Sequence, residues 1–338
     1  MATPLRLLAL IGASAPFILF TSSAAADADR SRPCKQLSLP VTLAPTDPTP
    51  YHVAAWVCGP PSGHVQLLLH GSTYSHLYWD FPDGDRYSYV RAANEEGFLT
   101  VNVDRIGIGQ SDHPPADQVT VESNAFVAHQ IIAALRAGSI VTDDGPLVAR
   151  RVVLVGHSLG SSIAAYEAAT YADVDGVVLS GYLHNEGPLD VAFGSAIYPA
   201  SFDPETSSAP PNYFTTIPGT RGTYFYDASD ADPAVIAEDE ATKQTVTLGE
   251  LSTFVDGFAP TPSIHVPVLV AVGDEDALFC DAPSCTSAGT LVREAAFYSP
   301  DAQLETYALP GAGHSMNLHL NASQWFGVAN DWAHRHVH

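Results

Sequence analysis

The sequence predicts a mostly parallel α/β sheet carrying a largely helical lid inserted after the sixth strand. Three observations lead there. Short runs such as Val65–Leu69 and Val152–Val155 are almost wholly apolar, as strands buried on both faces are. Segments with helical spacing separate these runs. The alternation breaks once, over residues 184–265, where proline, glycine, serine and aromatics dominate, and then resumes. That stretch is too long for a structureless loop inside a compact domain, so short helices are expected in it near residues 188–193, 235–240 and 247–258.

The chain opens with one basic residue, Arg6, an apolar run from Leu7 to Phe20 and a small-residue stretch ending Ala24-Ala25-Ala26. This is the pattern of a secretory signal cleaved near Ala26. A membrane anchor is the competing reading, but Gly12 and Pro16 interrupt the run, which is shorter than the roughly 20 residues a span needs. The expected organisation is a signal peptide over 1–26, core over 27–183, lid over 184–265 and the rest of the core over 266–338. The mature chain is then secreted and extracellular, with no stable membrane span. The formal charge of −23, from 14 basic and 37 acidic residues, repels phosphate backbones and excludes nucleic acid as a partner.

Four cysteines, Cys34, Cys58, Cys280 and Cys285, lack Cys-x-x-Cys spacing and any accompanying histidine pattern for zinc. In an exported chain they imply two disulfides. Three pairings are possible; proximity in sequence favours Cys34 with Cys58 and Cys280 with Cys285.

Taken in order, residues 36–43 and 51–58 alternate loosely and read as antiparallel strands around a proline-rich turn. Val65–Leu69 follows and ends in His70-Gly71-Ser72, where a glycine lets the backbone turn sharply and present its amides. A short helix is expected over 87–96 and a strand over 98–103, leading into Asp104-Arg105-Ile106-Gly107-Ile108-Gly109. That Gly-x-Gly lacks the third glycine and a following helix, so no dinucleotide cofactor is expected. A helix over 120–137 and a linker over 138–146 precede the strand at Val152–Val155. Further strands are expected over 174–179, 266–272 and 304–309, and helices over 288–298 and 321–336.

The chemistry gathers where such a sheet places its ligands, beyond the C-terminal ends of the strands. Gly156-His157-Ser158-Leu159-Gly160 lies between a strand and a helix, the context in which Gly-x-Ser-x-Gly exposes a strained serine. A serine hydroxyl needs a base, and the base needs an orienting acid. His314 sits in a glycine-rich turn after the last strand and Asp276 in the turn after the preceding one. Asp274 shares that turn and is the alternative acid. A tetrahedral oxyanion needs backbone donors. The Leu159 amide, at the start of the helix, is one; the Ser72 amide, after His70-Gly71, is the natural second. Tyr74 and Tyr78 either line the pocket or pack beneath it.

These landmarks resemble the α/β-hydrolase superfamily over most of residues 50–336. His70-Gly71, Asp104-Arg105-x-Gly-x-Gly-x-Ser111, Gly156–Gly160, and Gly273-x-x-Asp276 with Gly313-His314 occur in the family's order. The resemblance implies an α/β-hydrolase fold with Ser158 as nucleophile, Asp276 as acid and His314 as base. It also implies an oxyanion hole from the Ser72 and Leu159 amides, and a bracing role for Asp104-Arg105. A serine at position 158 departs from the dehalogenase and epoxide hydrolase branches, and His70-Gly71-Ser72 lacks the extra glycines of HGGG-type esterases. The expected activity is hydrolysis of a small, apolar carboxylic ester through an acyl-enzyme, without cofactor or metal. A peptidase, amidase or acyltransferase on the same triad, and a non-catalytic binding protein on the same fold, are the alternatives.

Overall fold

The computed structural model describes residue 1 and residues 34–82, 84–185, 187–280, 285 and 289–337. The expected signal over 1–26 lies outside them, save its first residue.

The central sheet has eight strands: β1 (Lys35–Val41), β2 (Tyr51–Cys58), β3 (His64–Leu69), β4 (Leu99–Val103), β5 (Arg151–His157), β6 (Gly176–Ser180), β7 (Val268–Gly273) and β8 (Glu305–Leu309). They lie in the order β1-β2-β4-β3-β5-β6-β7-β8. Pairing is antiparallel from β1 to β2 and from β2 to β4, and parallel across the rest. The inner parallel strands β3, β5, β6 and β7 are buried nearly throughout, which is why their sequences run apolar instead of alternating. Each fully buried Val or Leu there contributes about 1.5–3 kcal/mol.

Register decides where the functional loops begin. Leu69 pairs with Gly156, His157 with Ser180, and Gly273 with Leu309. The turns after β3, β5, β6, β7 and β8 therefore emerge side by side at one end of the sheet.

Among the described residues, the helices that cover the sheet include α1 (Tyr89–Glu95), α2 (Val121–Ala137), α3 (Leu159–Tyr171) and the C-terminal helix (Ala322–His336). A capping box between Thr120 and Ser123 starts α2, and Gly138 at φ 65° ends it. α3 packs on α2 and carries the buried small residues Ala164, Ala165 and Ala168. The C-terminal helix packs on α1 and buries Trp325 and Trp332 completely. The stretch expected as a plain linker after α2 instead contains a hairpin, Ile140–Thr142 with Gly145–Leu147. Thr142 pairs with Gly145, so the two-residue loop is Asp143-Asp144, and Gly145 just beyond it takes φ 110°, a conformation open to glycine.

Between β6 and β7 the chain forms a cap. Its helices include Asp190–Phe193, Pro233–Ala241 and Leu248–Thr253. Beside these helices it carries a three-stranded antiparallel sheet that the sequence did not announce, with Tyr213–Thr216 between Ile197–Pro199 and Val246–Thr247. These strands are only two to four residues long, too short to show a period in the sequence.

Cys34 joins Cys58 and Cys280 joins Cys285, so the start of β1 is tied to the end of β2 and the loop after β7 is closed. Among the described residues no helix is long and apolar enough to cross a membrane.

Candidate active site

Ser158 stands at the junction of β5 and α3 with φ 54° and ψ −119°, a conformation that costs a non-glycine residue free energy and is kept only where the surroundings impose it. They do so here. A Cβ on Gly160 would lie 2.1 Å from the Leu69 carbonyl oxygen, and one on Gly156 would lie 2.4 Å from the Gly160 carbonyl oxygen. The Ser158 amide donates to the Ser180 carbonyl at 2.8 Å, and the Ser161 hydroxyl donates to the same oxygen at 2.9 Å. The elbow is thus bolted to the neighbouring strand.

His314 and Asp276 come together from the turns after β8 and β7. His314 Nδ1 lies 2.9 Å from Asp276 Oδ2, and both side chains are buried. The other carboxylate oxygen, Oδ1, accepts the Leu278 amide at 3.0 Å. Asp274 faces away: its Oδ1 accepts the Gly311 amide at 2.6 Å and so holds the turn after β8. Beneath the pair, His157 stacks on Tyr78 at 4.1 Å between ring centres and lies 4.8 Å from the His314 ring. Burial first, then the neighbouring His314, holds the His157 ring well below the ordinary histidine range, so it carries no positive charge beside His314. Gly181, at φ 55°, leaves room for both rings; a Cβ there would meet His157 Cε1 at 2.8 Å.

The turn after β3 runs against the elbow, with a Cβ on Gly71 placed 3.0 Å from Ser158 Cβ. Arg105 braces it: Nε donates to the His70 carbonyl at 2.9 Å and Nη2 to the Gly71 carbonyl at 3.3 Å. The Arg105 amide donates to His70 Nε2 at 3.1 Å, which leaves the proton of that ring on Nδ1, facing the Gly71 carbonyl at 2.9 Å. Arg105 is itself ion-paired to Glu250 of the cap. Ser72, Ser158, Leu159 and His314 all line one cavity of about 240 Å³, whose walls are largely aromatic: Tyr74, Phe193, Phe225, Phe254 and Phe279. Four of the five residues expected to form a catalytic centre therefore share one space, and the fifth, Asp276, reaches it only through His314.

A family model described as the alpha/beta hydrolase family matches residues 66–326. The chain belongs to that family. No curated protein matches it by sequence. Among solved structures, it is similar to an esterase from Thermogutta terrifontis, with 19% identity, 88% of this chain and 98% of that chain covered, and a TM-score of 0.61. A bromoperoxidase from Bacillus anthracis also shows 19% identity, with coverage of 88% and 100% and a TM-score of 0.62. A meta-cleavage product hydrolase from Pseudomonas fluorescens IP01 shows 15% identity, with coverage of 84% and 95% and a TM-score of 0.54. At these identities the likeness is one of fold.

Sequence reasoning missed a second polar cluster of this alpha/beta hydrolase, between the cap and the turn after Ser72. It comprises Arg221, Asp239, Thr73, Tyr74, Tyr226 and Ser315, and Arg221 and Asp239 are fully buried. One signal was available: Arg221 and Lys243 are the lone arginine and lysine of residues 184–265. Both are buried and ion-paired, to Asp239 and Asp203 respectively.

Proposed function

We propose that the protein is a secreted carboxylic ester hydrolase working through an acyl-enzyme. The observation that carries this reading is the strained Ser158 sharing one cavity with a His314 whose Nδ1 meets buried Asp276 at 2.9 Å. Ser158 Oγ attacks the ester carbonyl while His314 Nε2 takes its proton, and Asp276 holds the ring's tautomer and stabilises the imidazolium. The Ser72 and Leu159 amides donate to the oxyanion. As the tetrahedral intermediate collapses, His314 protonates the leaving alcohol. Water, deprotonated by the same ring, then attacks the acyl-enzyme, and the acid departs as Ser158 recovers its proton.

The aromatic walls and the cavity volume of about 240 Å³ favour a short acyl chain or a single ring over a long lipid chain. Export is supported by the leader pattern of residues 1–26 together with the two disulfides. Asp190 on the cavity wall favours one second reading, an aminoacyl ester or amide whose amine it would meet.

Labelling by a fluorophosphonate, combined with a panel of 4-nitrophenyl esters of rising chain length and aminoacyl 4-nitroanilides, tests these readings. Wild-type protein should be labelled at Ser158, hydrolyse the shorter esters and leave anilides intact. Ser158→Ala should remove labelling and turnover while leaving the circular dichroism spectrum unchanged. A Ser158→Ala variant with full turnover would refute the mechanism, and preference for the anilides would move the activity to the second reading.

A further inference from the structure

The cap does more than roof the cavity. Thr73 directly follows Ser72 and takes φ 59°, a backbone region that β-branched residues seldom occupy. Something must hold it there, and among the described residues each of its hydrogen bonds runs to the cap. Its amide donates to the Thr245 carbonyl at 3.2 Å, and its carbonyl accepts the Gln244 amide at 2.9 Å. Its hydroxyl accepts Arg221 Nη1 at 2.8 Å, and the same nitrogen lies 3.4 Å from its carbonyl oxygen.

Arg221 is itself fixed on several sides. Nε and Nη2 donate to the two carboxylate oxygens of Asp239 at 2.9 and 2.8 Å. Asp239 also accepts the Tyr226 hydroxyl at 2.8 Å and the Tyr74 hydroxyl at 3.3 Å. The guanidinium lies over the Tyr74 ring, 4.3 Å from its centre, and over the Phe225 ring at 4.9 Å. Tyr74 Oη in turn meets the Ser315 hydroxyl at 2.6 Å, one residue beyond His314. A single fully buried ion pair thus reaches both the residue after Ser72 and, through Tyr74, the residue after His314.

Holding the cap down does not require such a pair. A buried ion pair is often no more stabilising than an apolar pair of the same volume. What an arginine fork supplies, and an apolar side chain cannot, is direction: rigid N–H vectors at set angles. We propose that the Arg221–Asp239 pair positions the oxyanion turn, holding Thr73 in its left-handed conformation and so aiming the Ser72 amide at the reacting oxygen. Arg221 and Asp239 are positioning residues that touch no substrate, and their role rests on the serine acyl-transfer reading above.

The test compares wild type, Arg221→Lys and Arg221→Met/Asp239→Leu. The lysine variant keeps the charge against Asp239 but loses the fork. The double variant removes the pair without stranding a charge, so the fold survives. Tyr213→Phe is the control, since it cuts a different cap-to-core hydrogen bond, from the Tyr213 hydroxyl to the Pro114 carbonyl at 2.7 Å. Steady-state hydrolysis of 4-nitrophenyl butyrate and the rate of Ser158 labelling by a fluorophosphonate are measured, because the phosphonyl oxygen occupies the same oxyanion site. Both Arg221 variants should lose kcat by roughly 10- to 100-fold with KM changed less than about threefold, and the labelling rate should fall by the same factor. Tyr213→Phe should leave kcat and labelling unchanged. Wild-type labelling and turnover rates in both Arg221 variants, a loss confined to KM, or an equal loss in Tyr213→Phe would overturn the proposal. If wild type is labelled at Ser158 yet cleaves no ester, the substrate reading fails, and the labelling rates still decide the positioning role.

Discussion

Removing the two disulfides one at a time should dissociate stability from catalysis. Cys34 and Cys58 are 24 residues apart, Cys280 and Cys285 only 5. The loop-closure relation gives about 3.4 kcal/mol for the first bridge and about 2.1 kcal/mol for the second, so the N-terminal bridge is the larger stabiliser. Their surroundings rank them the other way for activity. The Cys280 amide donates to the Asp276 carbonyl at 2.8 Å, and the Cys285 amide donates to the Asp274 carbonyl at 2.9 Å. The small bridge therefore closes the turn that carries the acid, whereas the large one ties β1 to β2 at the far edge of the sheet. Cys280→Ala/Cys285→Ala should lower the unfolding free energy modestly and kcat by about tenfold, since a displacement near 1 Å at a catalytic group is costly. Cys34→Ala/Cys58→Ala should cost more stability and leave kcat within about twofold. Urea midpoints and ester hydrolysis on the two double variants supply both readouts. If the N-terminal pair carried the larger loss of kcat, the link from the small bridge to the acid turn would be wrong.

Other outcomes follow from single residues. Gly160→Ala drives a Cβ to 2.1 Å from the Leu69 carbonyl oxygen and 2.7 Å from that of His70; it should cost about 3 kcal/mol or more, and a wild-type melting temperature would contradict the packing. Asp276→Asn should reduce kcat by roughly 10⁴. Asp274→Asn, whose side chain accepts the Gly311 amide, should stay within about fivefold, so equal losses would mean that the acid is misassigned. Glu167 on α3 is buried, and burial first, then a hydrogen bond to the adjacent Asp173 carboxyl and the charge of that carboxyl, push it well above the ordinary glutamate range. The folded chain then keeps a proton that the unfolded chain releases above about pH 4.5, so this group's contribution to stability declines as pH rises through the window between the two values. Glu167→Gln should gain on wild type by about 1.4 kcal/mol per pH unit in that window. Urea midpoints between pH 5 and 8 measure the gap, and a constant gap would show that Glu167 is ionised in the fold.

The core was legible because its signals are local and backbone-driven. Residues 65–69 and 266–272 read as buried strands from composition alone, and register then places the residues after them together. Ser158 was legible because the elbow needs glycine at 156 and 160, and His314 and Asp276 because each follows a strand end. The cap was not legible in the same way. Tyr213–Thr216 is too short to declare a period, and its neighbours in the small sheet come from distant stretches of chain. Arg221 gave no hint of its role because its partners are remote, Asp239 at 18 positions and Thr73 at 148. Glu250 looked like one more acid in a strongly acidic chain, although it is the buried partner of Arg105.

Thr73 has a bearing on how such an enzyme changes over generations. Because the cap dictates that residue's conformation, replacing residues 184–265 with a foreign cap would import a new pocket and at the same time discard the alignment of Ser72. Grafts should yield folded, slow catalysts until position 73 becomes a glycine, which takes a positive φ without help, or until the graft brings its own donor fork. A new pocket and the loss of rate thus arrive together, and a change at position 73 is what separates them.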